Sequence, residues 1–286
     1  AAPGRRIIGV SRFSDPAVED QLRAYGIETI KGDLLEPSFL ESLPDAPNVI
    51  TMAGLKFGTT GRESLAWAMN TVLPSLVCRR FRSSRMVAFS TGAIYAMVPI
   101  DSGGSLETDP PAPIGEYAMS CLGRERVFEH FSRTLNIPMA IIRLNYDCEM
   151  RYGVLLDLAR QVREQSLIDL SMGYFNVIWQ ADANAAALSA LVGVSTPPLI
   201  LNVTGPERLS VRSCAEAMGK ILDKPAHFGA SESADALLSN ASKCHDLYGL
   251  PRVGTDRLIE CVAHWVRDGK SVWDKATHFQ VKDGKF

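Results

Sequence analysis

Short apolar runs alternate along the chain with longer stretches in which apolar residues recur at helical spacing. The apolar runs predict strands over Arg6–Val10, Ile27–Lys31, Asn48–Ala53, Arg85–Ser90, Met139–Leu144 and Leu199–Val203. The helical spacing predicts helices over Pro16–Tyr25, Glu63–Arg82, Glu116–Leu135, Tyr152–Gln165, Asp182–Val192, Val211–Leu222 and Thr255–Asp268. Strands that alternate with helices predict an α/β fold, with a parallel sheet, right-handed crossovers and helices on both faces.

The residues that follow these strands are the first candidates for a binding site, because open parallel sheets bind ligands beyond the carboxyl ends of their strands. They are Ser11 and Arg12, Gly32 and Asp33, Met52, Ala53 and Gly54, Ser90 and Thr91, and Asn145 and Tyr146. The segment Pro99–Gly115 is rich in proline, glycine and serine, and is predicted to be a loop over that site.

Composition narrows the class of protein. With 286 residues, of which 46% are hydrophobic, the chain can bury a full core. A net charge of −2 gives no electrostatic reason to expect nucleic acid or an anionic membrane as a partner, and no apolar run approaches the roughly 20 residues that span a bilayer. The six cysteines are scattered without a Cys-x-x-Cys pair, which favours reduced thiols in a cytoplasmic protein. The five histidines lack metal-ligand spacing, so no metal site is predicted.

Two short motifs carry most of the chemistry. Residues 117–121 read Tyr-Ala-Met-Ser-Cys at the start of a predicted helix, and residues 90–95 read Ser-Thr-Gly-Ala-Ile-Tyr from the end of a predicted strand. Together with the other strand ends, and in the same order, they resemble the extended short-chain dehydrogenase/reductase family, also called the NAD-dependent epimerase/dehydratase family. The resemblance runs from about Arg6 to near Gly269. It implies a Rossmann-like, doubly wound parallel sheet with a smaller C-terminal substrate lobe.

The resemblance also implies a division of the chain. Residues 1–146 correspond to the NAD(P)-binding Rossmann-like domain and residues 147–286 mainly to the substrate-side lobe, with residues 177–205 returning to the Rossmann core. The family opens with a strand and a glycine-rich turn whose amides hold the cofactor pyrophosphate, whereas the first predicted strand here resembles the family's second. We therefore expect that roughly one βα unit lies ahead of Ala1. The alternative is that the protein has lost pyrophosphate binding, and its cofactor affinity would then be weak.

The resemblance assigns proton transfer to Tyr117 and Thr91. Lining up Tyr95 with the family's motif puts Thr91 at the catalytic hydroxyl, which hydrogen-bonds the substrate oxygen that gains or loses a proton. In the family, a lysine four residues after the tyrosine lowers the tyrosine pKa and binds the nicotinamide ribose. Cys121 holds that position here, and a thiol supplies no positive charge. Cys121 is therefore either an acid/base group of the site or a small thiol that packs the helix.

Without that lysine, Tyr117 is expected to stay protonated unless another cation takes over. Arg124 lies seven residues further along the same helix face, and Lys56 follows the strand end at Gly54. A guanidinium does not reproduce the compact charge of a lysine, so we expect either replacement to be imperfect.

The resemblance places a nicotinamide dinucleotide against the strand ends. Arg12 suits a 2′-phosphate and slightly favours NADP over NAD, although a solvated surface arginine explains it equally well. Asp33 corresponds to the carboxylate that meets the adenine amino group, or is an ordinary turn aspartate. Gly54 could equally just end a strand, and Ser90 and Thr91 could only cap the next turn. The implied cofactor-binding residues are Ser11, Arg12, Asp33, Met52, Ala53, Gly54, Lys56, Asn70, Ser90 and Asn145.

The expected function is that of an NAD(P)-dependent oxidoreductase or a nucleotide-sugar epimerase/dehydratase-like enzyme. Hydride would move between nicotinamide and a substrate carbon while Tyr117 and Thr91 handle the proton. The resemblance alone implies sugar nucleotides as small-molecule substrates. It also implies a homodimer that forms through the helices Glu63–Arg82 and Glu116–Leu135. Two alternatives stay open: a catalytically lapsed dinucleotide- or metabolite-binding protein on the same fold, and an isomerase that uses bound cofactor without net redox.

Overall fold

The computed structural model describes residues 4–56 and 61–284 and contains the alternation of strands and helices that the sequence predicts. The strands are β1 (Ile8–Ser11), β2 (Glu28–Lys31), β3 (Asn48–Thr51), β4 (Arg85–Thr91), β5 (Val98–Pro99), β6 (Met139–Leu144), β7 (Asp147–Cys148), β8 (Leu167–Asp169), β9 (Tyr174–Phe175), β10 (Ile178–Trp179), β11 (Leu199–Val203), β12 (Leu209–Ser210), β13 (His227–Gly229) and β14 (Asp235–Ala236). The helices are α1 (Pro16–Ala24), α2 (Pro37–Ser42), α3 (Glu63–Trp67), α4 (Leu73–Arg80), α5 (Gly115–Leu135), α6 (Val154–Arg163), α7 (Gln180–Ala190), α8 (Val211–Leu222), α9 (Ser242–Tyr248) and α10 (Thr255–Arg267).

The ends of the helices follow from local sequence. The Asp15 carboxylate accepts a hydrogen bond from the Ala17 amide at 3.0 Å, and Pro16 holds the first position of α1, where no amide hydrogen is needed. At its other end α5 stops at Asn136, whose left-handed backbone (φ 56°) closes the last turn.

The central sheet is parallel, with the strand order β11-β6-β4-β3. On one face α4 and α5 pack against it through Leu73, Val77 and Phe128. On the other face α7 packs through Ala183 and Ala187. Strand β6 is buried along almost its whole length, as expected for a sheet covered on both sides. The predicted Rossmann-like, doubly wound α/β fold is therefore confirmed.

Strands β1 and β2 form a separate parallel pair, with Ile8 opposite Glu28 and Ser11 opposite Lys31. Within the two described ranges, β1 pairs with β2 alone and β3 pairs with β4 alone. The sheet is therefore split between β1 and β3.

A second lobe is formed by α6, α8 and α10, which pack on one another through residues such as Val162, Met218 and Val262. Residues of this lobe, among them Tyr152 and Phe279, reach a cavity at the carboxyl ends of β4 and β6. Among the described residues, no helix is both long enough and apolar enough to cross a bilayer.

One predicted helix is not regular. The sequence predicts a single α-helix over Glu63–Arg82, but a turn of π-helix, Ala68–Val72, separates α3 from α4. The side chain of Asn70, at the centre of that turn, is fully buried and hydrogen-bonded to α5. The long helix predicted over Glu63–Arg82 is thus helical from Glu63 to Arg80, with one π-helical turn that the sequence did not reveal.

Candidate active site

The strand ends that were predicted to bind the cofactor surround one cavity of about 610 Å³. We call it the β1–β3 cleft, because residues 8–12 form one wall and residues 48–54 the opposite wall. The predicted cofactor-binding residues in its lining are Ser11, Arg12, Asp33, Met52, Ala53 and Gly54. Parallel strands bring residues from three separate parts of the chain to this edge.

Arg12 and Asp33 differ in how they are held at the cleft. Arg12 is exposed at the end of β1. The Asp33 carboxylate accepts a hydrogen bond from the Leu35 amide at 2.9 Å, which is the geometry of an Asx turn. The turn explains why an aspartate stands there, so its proposed contact with adenine is a second role that stays a prediction.

A second, smaller cavity of about 150 Å³ lies at the carboxyl ends of β4 and β6, and we call it the tyrosine pocket. Its lining contains the predicted site residues Lys56, Ser90, Thr91, Tyr117 and Asn145. The second lobe closes it with side chains that include Tyr152 and Phe279. The pocket thus joins strand ends, the start of α5 and the second lobe.

Tyr117 lies in the first turn of α5, and its side chain is buried against the pocket. The side chains of Thr91 and Cys121 both act on its phenol: Thr91 lowers the pKa of the phenol and Cys121 raises it. Burial raises the pKa of Tyr117 well above its usual range, and the nearby Arg124 charge only partly opposes this. The phenol therefore carries its proton at neutral pH, as the sequence predicts for a tyrosine without the family's lysine.

The neighbours of the Thr91 hydroxyl are consistent both with a structural cap and with a role in catalysis. Its hydroxyl accepts a hydrogen bond from the Ala93 amide at 3.1 Å and so caps the short 3₁₀ turn Gly92–Ile94. It also meets the Tyr117 phenol. The cap fixes the position of the hydroxyl, and a fixed hydroxyl is what a substrate-binding role requires.

Cys121 occupies the lysine position and is fully buried. Burial raises the pKa of its thiol, while Arg124 acts in the opposite direction. The thiol therefore stays neutral at pH 7 and lies 4.0 Å from the Asn70 side-chain nitrogen. This environment is that of a packing thiol that also touches the tyrosine.

Arg124 is the cation that acts on Tyr117. Its side chain is buried, and its Nη1 donates to the Phe89 carbonyl at 2.9 Å while Nη2 donates to the Asn70 side-chain oxygen. The guanidinium lies directly against Gly54, where a β-carbon would collide with it. Any larger residue at position 54 would displace the Arg124 side chain, a reason for the glycine that the sequence reading had not identified.

Lys56 brings a second cation to the tyrosine pocket. Its ammonium donates to the Tyr152 hydroxyl at 3.2 Å, and burial lowers its pKa although Asp147 opposes that effect. Its charge also acts on Cys121. The two cations proposed from the sequence therefore approach the position of the missing lysine from different sides.

A buried network beneath the pocket was missed by the sequence reading. The Ser90 hydroxyl donates to Glu125 at 2.6 Å, and Glu125 forms an ion pair with Arg143 at 2.8 Å. Arg143 also donates to the Tyr95 hydroxyl at 2.6 Å, which in turn donates to Asn202 at 2.8 Å. A glutamate eight residues after Tyr117, on the same helix face, was the available signal.

Asn145 and Asn70, both predicted to bind cofactor, are held by protein groups. The Asn145 amide donates to the Asn176 side-chain oxygen at 2.9 Å, and the Asn70 amide donates to the Ser120 hydroxyl at 2.8 Å. Asn145 still lines the tyrosine pocket, whereas Asn70 is fully buried behind it. Their cofactor contacts stay predictions.

The sequence was compared with models of known protein families and with curated proteins. The model of the NAD dependent epimerase/dehydratase family matches residues 1–146, about half of the chain. The chain belongs to the NAD-dependent epimerase/dehydratase family. The resemblance stated from the sequence motifs is therefore confirmed, and with it the prediction of an enzyme family of the NAD(P)-dependent epimerase/dehydratase type. No curated protein matches the sequence.

Solved structures agree on the fold. UDP-glucuronic acid 4-epimerase from Bacillus cereus, in complex with NAD, is 17% identical with a TM-score of 0.76, over 93% of this chain and 91% of that chain. UDP-glucose 4-epimerase from Thermotoga maritima, with UDP-glucose, is 16% identical with a TM-score of 0.77, over 93% and 92%. RMD from Pseudomonas aeruginosa, complexed with NADPH, is 17% identical with a TM-score of 0.74, over 93% and 100%.

A family named for NAD implies a nicotinamide dinucleotide as cofactor. The size and lining of the two cavities show whether such a molecule could be held there. The β1–β3 cleft, at about 610 Å³, lies within the usual range of about 300–1,000 Å³ for ligand pockets. Its carboxyl edge presents the guanidinium of Arg12 and the carboxylate of Asp33, groups that suit the adenosine end of the cofactor, and their contacts with it stay predictions. The tyrosine pocket is smaller, and the buried Arg124 Nε has no hydrogen-bond partner among the described residues. Within residues 4–56 and 61–284, no group of three or more His, Cys, Asp or Glu side chains could hold a metal ion.

The buried ion pair gives a stability prediction. We expect Glu125→Leu to lower the free energy of unfolding by about 3–5 kcal/mol, because it leaves the buried Arg143 guanidinium without its counter-charge. Adding Arg143→Met to that variant should recover most of the loss, since the apolar pair has no charge to desolvate. Urea unfolding of the single and double variants measures both effects.

Glu129→Leu is the matched control on the same helix. Glu129 pairs with Arg126 and Arg133 at the surface, so its loss should cost less than about 1 kcal/mol. Equal losses for Glu125→Leu and Glu129→Leu would show that the buried pair does not stabilise the fold.

Proposed function

We propose that this protein is a nicotinamide-dinucleotide-dependent epimerase or dehydratase of nucleotide sugars, with Tyr117 and Thr91 as the groups that transfer and position the proton of a substrate hydroxyl. The observation that carries the proposal is that Tyr117 and Thr91 line the same pocket, with the Thr91 side chain near enough to lower the pKa of the phenol. Two hydroxyls that meet at one cavity wall can both contact a single substrate oxygen, as general acid–base catalysis requires.

The family cofactor, when bound, supplies the hydride chemistry. The residues of this chain would transfer the proton and position the substrate. The Tyr117 hydroxyl would exchange its proton with the substrate oxygen, and the Thr91 hydroxyl would hold that oxygen in place. Because burial keeps the phenol protonated, Tyr117 is set up to donate a proton and needs a cation before it can accept one.

Arg124 and Lys56 would share the electrostatic role of the missing lysine. Arg124 lowers the pKa of Tyr117 against the effect of burial, and Lys56 acts on the neighbouring thiol of Cys121. Lys56 also lines the tyrosine pocket, where its ammonium would contact a ribose or a substrate hydroxyl. Two cations that together stand in for the missing lysine support a working enzyme over a catalytically lapsed binding protein.

The proposal extends to the cofactor preference, the substrate lobe, the oligomeric state and the location. The exposed Arg12 at the end of β1 supports NADP as the preferred cofactor. Substrate would be held by the lobe formed from residues 147–286 without 177–205, because that lobe closes the tyrosine pocket. Val72 and Met119, each about half exposed on the π-helical turn and α5, support a homodimer through these helices. A cytoplasmic location completes the proposal.

A substrate panel tests the proposal. The full polypeptide is incubated with UDP-sugars and other nucleotide sugars in the presence of NAD or NADP, and products are identified by chromatography and NMR. Conversion of at least one nucleotide sugar at the sugar ring is expected. Tight dinucleotide binding without conversion of any sugar would instead favour the lapsed binding protein.

A further inference from the structure

The chain after α10 forms part of the wall of the tyrosine pocket. Residues 271–284, which we call the strap, contain neither a helix nor a strand, and half of them are exposed. Thr277 and Phe279 are the two strap residues that are buried, and both line the tyrosine pocket. An irregular segment at the surface thus closes the pocket with the two side chains that it buries.

The strap connects the two lobes around the pocket. Near its start, the Trp273 amide donates to the Arg151 carbonyl at 2.9 Å, and the Arg151 Cζ lies over the indole at 4.6 Å from the ring centroid. Near its end, Gly284 packs so closely on the backbone of Gly115 that a β-carbon on either glycine would collide with the other segment. Gly115 begins α5, the helix that carries Tyr117. The strap therefore runs from the second lobe to the helix that holds the proposed proton donor.

Thr277 fastens the strap to the second lobe. Its hydroxyl donates to Asp157 Oδ2 at 2.6 Å, and its amide donates to the same oxygen at 2.8 Å. The hydroxyl also accepts a hydrogen bond from the Phe279 amide at 3.4 Å. Asp157 lies in α6, so a single hydroxyl ties the strap to a helix and fixes the backbone of Phe279 two residues further on.

The size of the tyrosine pocket requires part of its wall to move. At about 150 Å³ the pocket is below the usual range of about 300–1,000 Å³ for ligand pockets. Ser90, Thr91 and Tyr117 lie in the central sheet or in α5, and moving them would break the hydrogen bonds of those elements. Release of the strap breaks mainly the contacts of Thr277 and Phe279, and irregular surface segments open at a low free energy. The strap therefore costs less to move than the sheet or α5.

We infer that the strap is the gate of the tyrosine pocket: it opens to admit the sugar of a nucleotide sugar and closes with the Phe279 ring against that sugar. Phe279 then limits the size of the substituents that the sugar ring can carry. Its ring also packs against Phe175, with 6.1 Å between the ring centroids, so its position in the closed wall is defined. The nature of the substrate rests on the proposed function, whereas the opening of the strap is a property of the free protein.

Trypsin measures the opening of the strap in the free protein. Cleavage after Lys282 requires the residues on both sides, Phe279 among them, to leave the surface and enter the protease. In the closed strap, Lys282 is held by an ion pair with Asp235 at 2.8 Å. Thr277→Val removes the hydroxyl that fastens the strap and should speed this cleavage at least about tenfold, because a hydrogen bond to a charged group is lost. Mass spectrometry of the products identifies the site of cleavage.

Thr134→Val is the matched control. The Thr134 hydroxyl donates to the His130 carbonyl at the exposed surface of α5, so its loss should leave the rate of cleavage after Lys282 unchanged. Equal rates for Thr277→Val and the unchanged protein would overturn the proposed gate. Equal acceleration by both threonine variants would also overturn it, because the cleavage would then report general destabilisation.

Two nucleotide sugars test what the gate admits. UDP-glucose and UDP-N-acetylglucosamine differ by one acetamido group. Phe279→Ala should raise kcat/KM for the acetylated sugar, relative to UDP-glucose, at least about tenfold, because the pocket gains the volume of a ring. Phe228→Ala removes a ring of the same lobe from outside the pocket and should leave that ratio within about twofold. An unchanged ratio in Phe279→Ala would overturn its role in selecting the substrate.

Failure of the gate and failure of the proposed function give different results. If no nucleotide sugar is bound or converted, the proposed function and the admission of sugars are both wrong, and cleavage after Lys282 still decides whether the strap opens. If sugars are converted but Thr277→Val leaves that cleavage unchanged, the proposed function stands and the gate is wrong.

Discussion

Tyr117→Phe is expected to reduce kcat by about 10²–10⁴-fold while the protein stays folded. Phenylalanine keeps the ring that packs in the buried position and removes only the hydroxyl that meets Thr91. KM for the nucleotide sugar should change little, because the lost interaction concerns the proton in the transition state. Steady-state kinetics on the best substrate of the panel measure both constants.

Tyr146→Phe is the matched control. Tyr146 is a second tyrosine in the lining of the same pocket and is partly buried; among the described residues, its hydroxyl makes one long hydrogen bond, of 3.5 Å, to the Phe279 carbonyl. Its loss should leave kcat within about threefold of the unchanged protein, since the group takes no part in proton transfer. Similar losses for both variants would mean that removal of any hydroxyl disturbs the pocket, and Tyr117 would lose its assigned role.

Cys121→Lys is expected to move the pH dependence of kcat to lower pH by about one unit or more, and to raise kcat near neutral pH about tenfold. Burial raises the pKa of Tyr117, and an ammonium one helical turn away would stabilise the phenolate and lower that pKa. The pH–rate profile reports the change directly, because the limb that belongs to the general base moves with its pKa.

Cys121→Met controls for the added bulk in this fully buried position, since methionine is long but uncharged. It should leave the position of the pH profile unchanged. A profile that shifts equally in both variants, or in neither, would contradict the electrostatic account of the lysine position. Thermal unfolding of both proteins shows whether the buried charge, close to Arg124 and Lys56, is tolerated.

Much of the fold could be predicted from the sequence, because its longer elements carry their own signals. The predicted bounds of β6 and α8 match the structure, since an uninterrupted apolar run marks β6 and an amphipathic stretch marks α8. Strands of two residues, such as β7 and β9, carry no periodicity and were not predicted. The predicted strand Asn48–Ala53 was too long, because the chain leaves the sheet after Thr51.

The candidate site was predicted in part. Strand ends identified the residues of both cavities, because the edge of a parallel sheet gathers them wherever they lie in the chain. The pairing of Glu125 with Arg143, and the packing of Arg124 on Gly54, depend on how α5 lies against the sheet. The spacing of Glu125 from Tyr117 is a local signal, but the identity of its partner and the contact of Arg124 with Gly54 depend on tertiary packing and emerged only from the structure.

The most direct test of the central claim is a double-mutant cycle on kcat between Tyr117→Phe and Thr91→Val. If the two hydroxyls act together on one substrate oxygen, the double variant should be no slower than Tyr117→Phe alone, within about threefold, because residues that act as a unit are not additive. Losses that multiply as independent effects would show that Tyr117 and Thr91 serve separate purposes, and the proposed chemistry of the tyrosine pocket would be wrong.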